Sequence, residues 1–450
     1  MLRRLFHRDL YRFDTPAPSY WEATGPDLDC PTLSDDARCE VAVIGGGFTG
    51  LCAALHLARD YGADVQVLDA GHIGWGASGR NGGFCCLPAT KLSVGQMTRR
   101  YGEEETRRFF REQIEAMQLV ESLSESEHID LDRQGDGNYE VAHHPKAITP
   151  LNEYALALQN KFGIPARYLD RDEFAACGHA GTEQFGAIHI QAGFALHPRK
   201  FVVGLAQAAV KHGARLYSHS EVVSWVKEGG WHVLRTDRAS LRARKVIVAC
   251  NGYLPDGLHE AFDRRTLPVL SNIVVTGPLE PAQLEAERYS TRTPCLNARN
   301  LLFYYRLLPD RRFLIGARGD LTGSPSKGER KQLWIARRVG DLFPSWAGVR
   351  TDYFWRGLVC MTRKLTPSIG VLDEDSTVAY GFGWHANGVN TAPWAGKQLA
   401  MLIAGANAPT IDVSAPMRGL PARFPSEFAR VWGLKLAYAY YWLQDTLRTG

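Results

Sequence analysis

The alternation of apolar and polar positions predicts a strand, a helix and a second strand early in the chain. Val41, Val43 and Ile44 form a short β-branched apolar run without helical period, which is typical of a buried strand. Residues 51–61 place apolar side chains on one helical face, and Gly62 is a helix stop. Residues 65–68 predict the next buried strand. This order is that of a βαβ unit in a parallel sheet.

Later in the chain, segments that resemble this βαβ unit alternate with segments of long helices and antiparallel strands. Residues 103–126 lack proline and glycine and repeat large apolar side chains at three- and four-residue steps, which predicts a long amphipathic helix. Shorter helices are expected at 150–162, 201–212, 327–343 and 393–404. Strands are expected near 137–142, as a β-meander at 215–218, 221–226, 231–234 and 244–249, and at 273–276, 301–306 and 312–316.

The chain is too long for one ordinary core, with 450 residues. We therefore expect an α/β fold, in which a Rossmann-like dinucleotide-binding domain is interleaved with an α+β substrate domain built on an antiparallel sheet. The expected segments are an N-terminal extension at 1–37, the dinucleotide-binding domain at 38–91, 195–266 and 355–415, the substrate domain at 92–194 and 267–354, and a helical tail at 416–450.

Both ends of the chain are predicted to lie outside this plan. Prolines prevent long regular structure at 1–37, where residues 19–21 either lie across the fold or belong to an unpacked leader. Residues 427–447 predict a final helix with Ser426 as its N-cap. Its apolar run at 436–443 is too short to span a bilayer. Packing on the protein's own surface is favoured over contact with a membrane surface or another subunit.

Composition and charge narrow the class of protein. Hydrophobic residues make up 45% and charged residues 22%, as in a soluble globular protein. A net charge of +4, with scattered basic residues, does not favour nucleic acid. The nine cysteines have no regular spacing, and no metal-ligand pair of the Cys-x-x-Cys kind occurs. We expect a cytoplasmic protein with reduced thiols and no metal.

A glycine pattern directly after the first strand is the first indication of a ligand-binding site. Gly45, Gly47 and Gly50 have the spacing at which the first glycine allows a sharp turn, the second lets the backbone approach a pyrophosphate and the third lets the helix pack closely. Asp69 ends the second strand, about twenty residues past the last glycine, where an acidic residue accepts ribose hydroxyls. Strand, glycines, helix, strand and acid together predict a dinucleotide site.

A glycine-rich loop at 74–83 follows, with five glycines in ten residues. Its amides and Arg80 can donate hydrogen bonds to phosphate or to the carbonyl groups of a ring, and Ser78 and Asn81 lie in the same run. Candidates further along are Val222 and Val223 against the adenine, and the Asn251–Gly252 turn beside the pyrophosphate.

Four motifs in order carry a family resemblance: Gly45-Gly-Gly-Phe-Thr-Gly, Gly74-Trp-Gly-Ala-Ser-Gly-Arg-Asn-Gly-Gly, Ala249-Cys-Asn-Gly-Tyr and Asn387-Gly-Val. They resemble the D-amino-acid oxidase superfamily of FAD enzymes, and within it the γ-glutamylputrescine oxidase-like branch, over most of residues 19–445. The resemblance implies FAD as the cofactor. The residues expected to contact it are Gly45, Gly47, Phe48, Thr49, Gly50, Asp69, Ala70, Ser78, Gly79, Arg80, Asn81, Gly82, Gly83, Val222, Val223, Ala249, Asn251, Gly252, Gly357, Asn387, Gly388 and Val389.

The same resemblance implies a reaction on a small-molecule amine or amino acid. Hydride passes from the carbon beside nitrogen to flavin N5, water hydrolyses the imine, and oxygen is the expected reoxidant, which gives hydrogen peroxide. His385 is a candidate base or donor to the flavin carbonyl, with a structural loop histidine as the equal alternative. The candidates for an aromatic-lined substrate pocket are Tyr304, Tyr305, Arg306, Trp355 and Trp384.

Two departures from the family pattern bear on the substrate and the flavin. Val359 occupies the position where relatives that oxidise amino acids have a carboxylate-binding arginine, although Arg356 and Arg363 flank it. This favours an amine, or a substrate with a remote carboxylate. Cys360 matches the place where monomeric sarcosine oxidase links its flavin covalently. A small buried thiol is the favoured alternative there.

Three alternatives stay open at this point. The glycine pattern alone also fits an NAD-dependent dehydrogenase, although the 74–83 loop and the later motifs argue against it. A flavin-linked dehydrogenase would pass electrons to an acceptor other than oxygen. A flavin-binding protein with a vestigial site would perform no turnover at all.

Overall fold

Two eight-stranded sheets organise the chain in a computed structural model that describes residues 2–404 and 412–447, except for the side chains of 446 and 447. In chain order the strands are β1 (Ala37–Ile44), β2 (Val65–Leu68), β3 (Phe84–Cys85), β4 (Asn138–Val141), β5 (Ala166–Leu169), β6 (Ala187–Ile190), β7 (Phe194–Ala195), β8 (Arg215–Tyr217), β9 (Ser224–Glu228), β10 (Trp231–Arg235), β11 (Ser240–Val248), β12 (Leu267–Pro278), β13 (Cys295–Asn297), β14 (Tyr304–Leu307), β15 (Arg312–Arg318), β16 (Thr351–Met361), β17 (Ser368–Val371) and β18 (Val378–Phe382). The helices are α1 (Tyr20–Thr24), α2 (Phe48–Tyr61), α3 (Val94–Tyr101), α4 (Glu103–Ser126), α5 (Ile148–Phe162), α6 (Arg171–Cys177), α7 (Pro198–Lys211), α8 (Pro281–Ala286), α9 (Pro325–Leu342), α10 (Gly388–Ile403) and α11 (Glu427–Leu447).

The first sheet is built around the predicted βαβ unit. Its order is β17-β18-β11-β1-β2-β8, and β10 and β9 continue from β11. The pairs β18-β11, β11-β1, β1-β2 and β2-β8 are all parallel. The strand–helix–strand prediction is confirmed, with α2 starting at Phe48 rather than at residue 51.

Strand β1 is buried on both faces. Val41 and Val43 belong to a core shared with α2, α7 and α10. Ala42 and Ile44 point to the opposite side, into a core that includes Leu234 of β10. This double burial explains why the strand is a continuous apolar run rather than an alternating one.

The β-meander differs from its prediction in one strand. Only β9, β10 and β11 form an antiparallel series. Strand β8, expected as the first strand of the meander, instead pairs in parallel with β2 at the sheet edge. It is the strand that follows α7, and a strand–helix–strand connection in one sheet places its strands in parallel.

The second sheet has the order β16-β12-β15-β14-β13-β4-β6-β5 and is antiparallel except for the β13-β4 pair. The chain enters this sheet between β2 and β8 and again between β11 and β17, so the interleaved α/β architecture is confirmed. The expected return to the first sheet at residue 355 falls inside β16, which pairs with β12 along its length. The first sheet resumes only at β17.

The N-terminal extension packs on the glycine-rich loop. Trp21 is buried and donates from Nε1 to the Asn81 carbonyl, 2.8 Å away. Trp75 donates in return from Nε1 to the Thr15 carbonyl at 2.8 Å. The glycine-rich loop is therefore held by hydrogen bonds to the N-terminal extension.

Helix α11 has one anchored side and one exposed side. The Ser426 hydroxyl accepts from the Ala429 N–H at 3.0 Å, as its N-cap role predicts. Arg430 forms a buried ion pair with Asp256, and Asp445 accepts from the N–H of Leu301 at 3.0 Å. The large apolar side chains left exposed on the described part of this helix are Phe428, Trp432, Leu436, Tyr440, Tyr441, Trp442 and Leu443. No helix within residues 2–404 and 412–447 is long and apolar enough to cross a membrane. Residues 405–411 and 448–450 of the predicted segments lie outside the described residues.

Candidate active site

A cavity opens at the carboxyl ends of β1, β2 and β11, where about 1200 Å³, open solvent included, is free of atoms. Ile44, Leu68 and Ala249 line it at these three strand ends. Open parallel sheets bind ligands at this edge, where the strand order reverses. The chain from β1 continues to β2 on one side and pairs with β11 on the other, so the cavity lies at such a reversal.

The three glycines form a turn that no side chain would fit. Gly45 has φ +109°, and a Cβ on Gly50 would lie 1.9 Å from the Gly45 carbonyl oxygen. Gly47 is the N-cap of α2 and supplies no capping side chain. The backbone N–H groups and the positive end of the helix dipole therefore face the cavity, as a pyrophosphate requires.

Asp69 lies at the end of β2 and lines the same cavity. Its Oδ2 accepts from the Gly46 N–H at 2.7 Å, and its Oδ1 accepts from the Gly71 N–H at 2.9 Å. Burial raises the pKa of Asp69, and the two N–H groups oppose that rise. Each carboxylate oxygen keeps a further lone pair, so the side chain can still accept hydroxyl groups.

The glycine-rich loop is fixed by its own side chains. Ser78 accepts at Oγ from the Phe48 N–H at 2.8 Å, which ties the loop to the first turn of α2. Arg80 donates from Nε to the Trp75 carbonyl at 2.7 Å and lies 3.7 Å over the Trp75 ring. The guanidinium is thus used to shape the loop. Arg80 also borders the second cavity, so its expected role as a donor to phosphate or to a ring carbonyl stays a prediction.

The predicted cofactor residues separate into three groups. Those that line the cavity are Gly45, Gly47, Phe48, Thr49, Asp69, Ala70, Ser78, Asn81, Val222, Ala249, Asn251, Gly388 and Val389. Those that line only a second, adjoining cavity are Arg80, Gly82, Gly357 and Asn387. Those that line neither are Gly50, Gly79, Gly83, Val223 and Gly252.

The third group has structural reasons for its positions. A Cβ on Gly79 would lie 2.4 Å from the Gly74 carbonyl oxygen, and one on Gly83 would lie 2.1 Å from that of Leu196. These glycines, like Gly50, are required for close backbone packing. Val223 is 43% exposed, and of the two valines only Val222 lines the first cavity.

The second cavity, with about 870 Å³ of unfilled space, shares part of its wall with the first. Both are lined by Ala77, Asn81, Leu358, Val359, Ala386 and Val389. Val389 is in the first turn of α10, whose N-cap residue Asn387 makes no capping hydrogen bond. A planar ring placed between the two cavities would therefore lie beside a helix N-terminus, which favours negative charge.

The Tyr304-Tyr305-Arg306 run divides between two faces of the second sheet. Tyr304 lines the second cavity and its hydroxyl lies 2.9 Å from Oγ of Ser271. Tyr305 points to the opposite face, where its hydroxyl lies 2.9 Å from Nε2 of His179. Arg306 is buried and donates from Nη2 to the Leu196 carbonyl at 2.7 Å. Of the three expected pocket residues, only Tyr304 lines the cavity. Alternation along the strand turns Tyr305 to the opposite face, whereas Arg306, on the face of Tyr304, is held by the Leu196 carbonyl.

The tryptophans and the histidine also differ from one another. Trp384 lines the first cavity, whereas Trp355 is buried and donates from Nε1 to the Arg80 carbonyl at 2.7 Å. His385 has φ +50° and lies within protein, with Nε2 3.3 Å from the Thr362 hydroxyl. Burial lowers the pKa of His385 to about 3. It borders neither cavity, and within the described part of the chain its buried Nδ1 has no hydrogen-bond partner, so its role as a base or donor stays a prediction.

Several lining residues could not be found from the sequence. Arg4 and Phe13 of the N-terminal extension line the first cavity, beside Glu221, with which Arg4 forms an ion pair. Lys91 and Arg318 line the second. These residues belong to no motif and reach the cavities through tertiary folding.

Val359 and Cys360 both lie at the wall between the sheets. Val359 lines both cavities, so the arginine that it replaces would have reached the site. The Cys360 thiol lines the first cavity. Burial raises its pKa to about 12, which keeps it protonated at neutral pH.

The residues present fit FAD on observations of this structure. A side-chain-free turn and helix N-terminus suit the pyrophosphate, Asp69 retains acceptor capacity for the ribose, and the shared wall has room for a ring against α10. A nicotinamide dinucleotide would not account for the return of the chain at Asn251, Gly388 and Val389 to the same cavity.

Comparison with known proteins agrees with this assignment. Residues 40–402 match the family DAO, described as FAD dependent oxidoreductase. The chain is 31% identical over 419 residues to gamma-glutamylputrescine oxidoreductase of Escherichia coli, covering 92% of this chain and 95% of that one. It is 30% identical over 392 residues to the probable oxidoreductase OrdL of Haemophilus influenzae, covering 86% and 88%.

A solved structure shows the same fold. Glycine oxidase from Geobacillus kaustophilus superimposes with a TM-score of 0.68 at 21% identity, covering 85% of this chain and 98% of that one. The resemblance inferred from the motifs is confirmed, and FAD is the cofactor. The chain belongs to the DAO family of FAD-dependent oxidoreductases.

Proposed function

We propose that this enzyme oxidises the C–N bond of a primary or secondary amine, γ-glutamylputrescine-like or another amine or amino acid, and that oxygen is the final electron acceptor. The main observation that supports this proposal is that the two cavities meet at Leu358, Val359 and Val389. One cavity has the features of a dinucleotide site, and the other is a separate space against the same wall. The relative named for γ-glutamylputrescine supports an amine substrate.

FAD supplies an acceptor for the hydride on the carbon beside nitrogen, and water then hydrolyses the imine to a carbonyl compound and an amine or ammonia. The residues of the chain hold the substrate in place. Phe84, Ile273 and Leu296 give the second cavity an apolar wall, which favours a neutral amine close to the reaction. Tyr304 and Ser271 add hydroxyl groups that orient a polar substrate.

The shared wall provides a place for the reduced state of the cofactor. The N-terminus of α10 directs unpaired N–H groups and a positive dipole end toward the junction. Such a preorganised field stabilises negative charge without any movement of the protein. No side chain bordering both cavities has an acid or base group, so the proposal includes no protein base at the reacting carbon.

The test is anaerobic mixing of the yellow holoenzyme with polyamines, γ-glutamylated and N-methyl amines, ω-amino acids and α-amino acids. We expect loss of visible flavin absorbance with at least one class, followed by hydrogen peroxide release on admission of air. A holoenzyme that no amine reduces would overturn the proposal. Reduction without peroxide release, but with turnover of an artificial electron acceptor, would identify a dehydrogenase instead.

A further inference from the structure

Two cationic side chains belong to the wall of the second cavity. Lys91 and Arg318 both line it. Within residues 2–404 and 412–447, neither side chain makes a hydrogen bond or an ion pair. Lys91 is open to the cavity although protein surrounds it, and burial lowers its pKa to about 7, with Arg318 adding to the shift.

Three other arginines in this region donate hydrogen bonds to backbone carbonyl groups. Arg306 donates to the Leu196 carbonyl at 2.7 Å, Arg80 to the Trp75 carbonyl at 2.7 Å, and Arg356 to the Gly323 carbonyl at 3.0 Å. Lys91 is exposed and Arg318 is half-buried at the cavity, so neither cation is sealed inside the protein. Both charges are therefore available to an anion that enters the cavity.

The register of the second sheet locates Arg318 relative to the junction. Arg318 on β15 pairs with Ser271 on β12, and Ser271 pairs with Gly357 on β16. Two inter-strand spacings separate Arg318 from Gly357, about 10 Å at the backbone. Gly357 is two residues from Val359 in the shared wall. Arg318 thus lies across the cavity from the junction, with the Tyr304 and Ser271 hydroxyls between.

One carboxylate of the protein already faces this group. Glu140 on β4 pairs in register with Leu296, which lines the cavity, and interacts electrostatically with Lys91. It makes no ion pair within the described part of the chain. At about pH 7 Lys91 and Glu140 together carry no net charge, whether both are ionised or both are neutral, so Arg318 leaves a single positive charge. One further carboxylate would balance it.

We propose that Lys91 and Arg318 form an anion site that holds a carboxylate group of the amine substrate, several bonds away from the C–N bond that is oxidised. This inference rests on the proposed function. The planar guanidinium can donate hydrogen bonds to both oxygens of a carboxylate, and the Lys91 ammonium adds a point charge. The site selects amines that carry a remote carboxylate and disfavours polyamines, whose additional positive charges it repels.

The first test is calorimetric titration of the holoenzyme with glutarate, a short dicarboxylate without an amine. We expect saturable binding that is weakened about 10- to 100-fold in Arg318→Ala and in Lys91→Met, since each loses a charged hydrogen bond. Arg318→Lys should lie between these and the wild type. Arg167→Ala removes an exposed charge from the same sheet, on β5, and should leave the affinity unchanged. Flavin content verifies the fold of each variant.

Glutarate that does not bind the wild type, or that binds Arg318→Ala and Lys91→Met as tightly as the wild type, would overturn the anion site. The second test separates this inference from the proposed function. We expect 6-aminohexanoate to reduce the flavin at lower concentration than hexylamine, and this preference to disappear in Arg318→Ala. Equal reduction by both amines in the wild type would overturn the anion site while the amine-oxidising function stands. If glutarate binds through Lys91 and Arg318 but no amine reduces the flavin, the anion site is supported and the proposed amine-oxidising function is overturned.

Discussion

The ring of Tyr304 covers Gly316 on the neighbouring strand so closely that a Cβ atom at residue 316 would lie 1.9 Å from Cζ of the tyrosine. The two residues are directly paired in the β14-β15 register. The absence of a side chain at Gly316 thus allows the one aromatic of the run that reaches the cavity to lie flat on the sheet. The shape of the cavity depends on this pair.

Replacing Gly316 by alanine is expected to push the Tyr304 ring into the second cavity. KM for the best amine substrate should rise at least about tenfold, and overpacking should lower the free energy of unfolding by about 1–3 kcal/mol. FAD content should stay that of the wild type. Gly95→Ala is the control, because an added methyl meets nothing there. An unchanged KM in Gly316→Ala would contradict the assignment of this cavity to the substrate.

Replacing Gly50 by alanine is expected to impair FAD binding rather than substrate binding. A Cβ at Gly50 would lie 1.9 Å from the Gly45 carbonyl oxygen, so β1 and α2 must separate at the turn that faces the pyrophosphate. We expect the Kd for FAD to rise at least about tenfold, equivalent to about 1.4 kcal/mol. Reconstitution of the apoprotein with FAD, followed by fluorescence, measures this. Full wild-type affinity would show that the turn tolerates a side chain.

The flavin is expected to be bound without a covalent link. The Cys360 thiol lines the first cavity, but burial raises its pKa to about 12, and the thiol form is a poor nucleophile. Acid denaturation should release all the flavin into the supernatant from both the wild type and Cys360→Ala. Flavin that precipitates with the wild-type protein but not with the variant would contradict this.

Replacing His385 by asparagine is expected to leave the shape of the pH profile of kcat/KM unchanged. Burial lowers the pKa of His385 to about 3, so its imidazole is neutral throughout the range in which the enzyme is assayed. Asparagine tolerates the left-handed backbone that His385 adopts, with φ +50°. Loss of one limb of the profile in the variant would show that the histidine acts as a base after all.

Glutarate binding is expected to weaken as pH rises through about 7, where both Lys91 and Glu140 have their pKa. Burial lowers the first value and raises the second. Below this pH Lys91 is charged and Glu140 neutral, and above it Lys91 loses its charge while Glu140 becomes a repelling carboxylate. Both changes weaken the binding of an anion. The dependence should flatten in Lys91→Met, and stronger binding at high pH would contradict the ionisation scheme.

The elements and the cofactor were predictable because their signals are local. Residues 41–50 contain a strand, a turn and a helix start within ten positions, and Asp69 follows at the distance that the fold requires. The long helix α4 was predicted with its bounds, since its apolar period repeats over 24 residues. In these cases a short window of sequence contains the whole physical cause.

The substrate side was less predictable because its causes are distant in the chain. Tyr305 and Arg306 were grouped with Tyr304, although alternation along the strand places Tyr305 on the opposite face. Arg306 shares the face of Tyr304 but is held by the Leu196 carbonyl, a partner that is distant in the chain. Lys91 and Arg318 are separated by more than two hundred positions and belong to no pattern. The sequence predicted that the dinucleotide-binding domain resumes at residue 355, inside β16. The strand belongs to the second sheet instead, because it pairs with β12, and this pairing cannot be read from composition.

The interleaving of the two sheets also limits how this enzyme can be taken apart or re-engineered. Neither sheet is encoded by one continuous stretch, so no single pair of cuts frees the dinucleotide-binding half. A chimaera that borrows substrate preference from a relative needs two grafts, one between β2 and α7 and one between β11 and β17. Each graft must return the chain to the same parallel sheet, so donor segments have to match in the positions of their ends rather than in length.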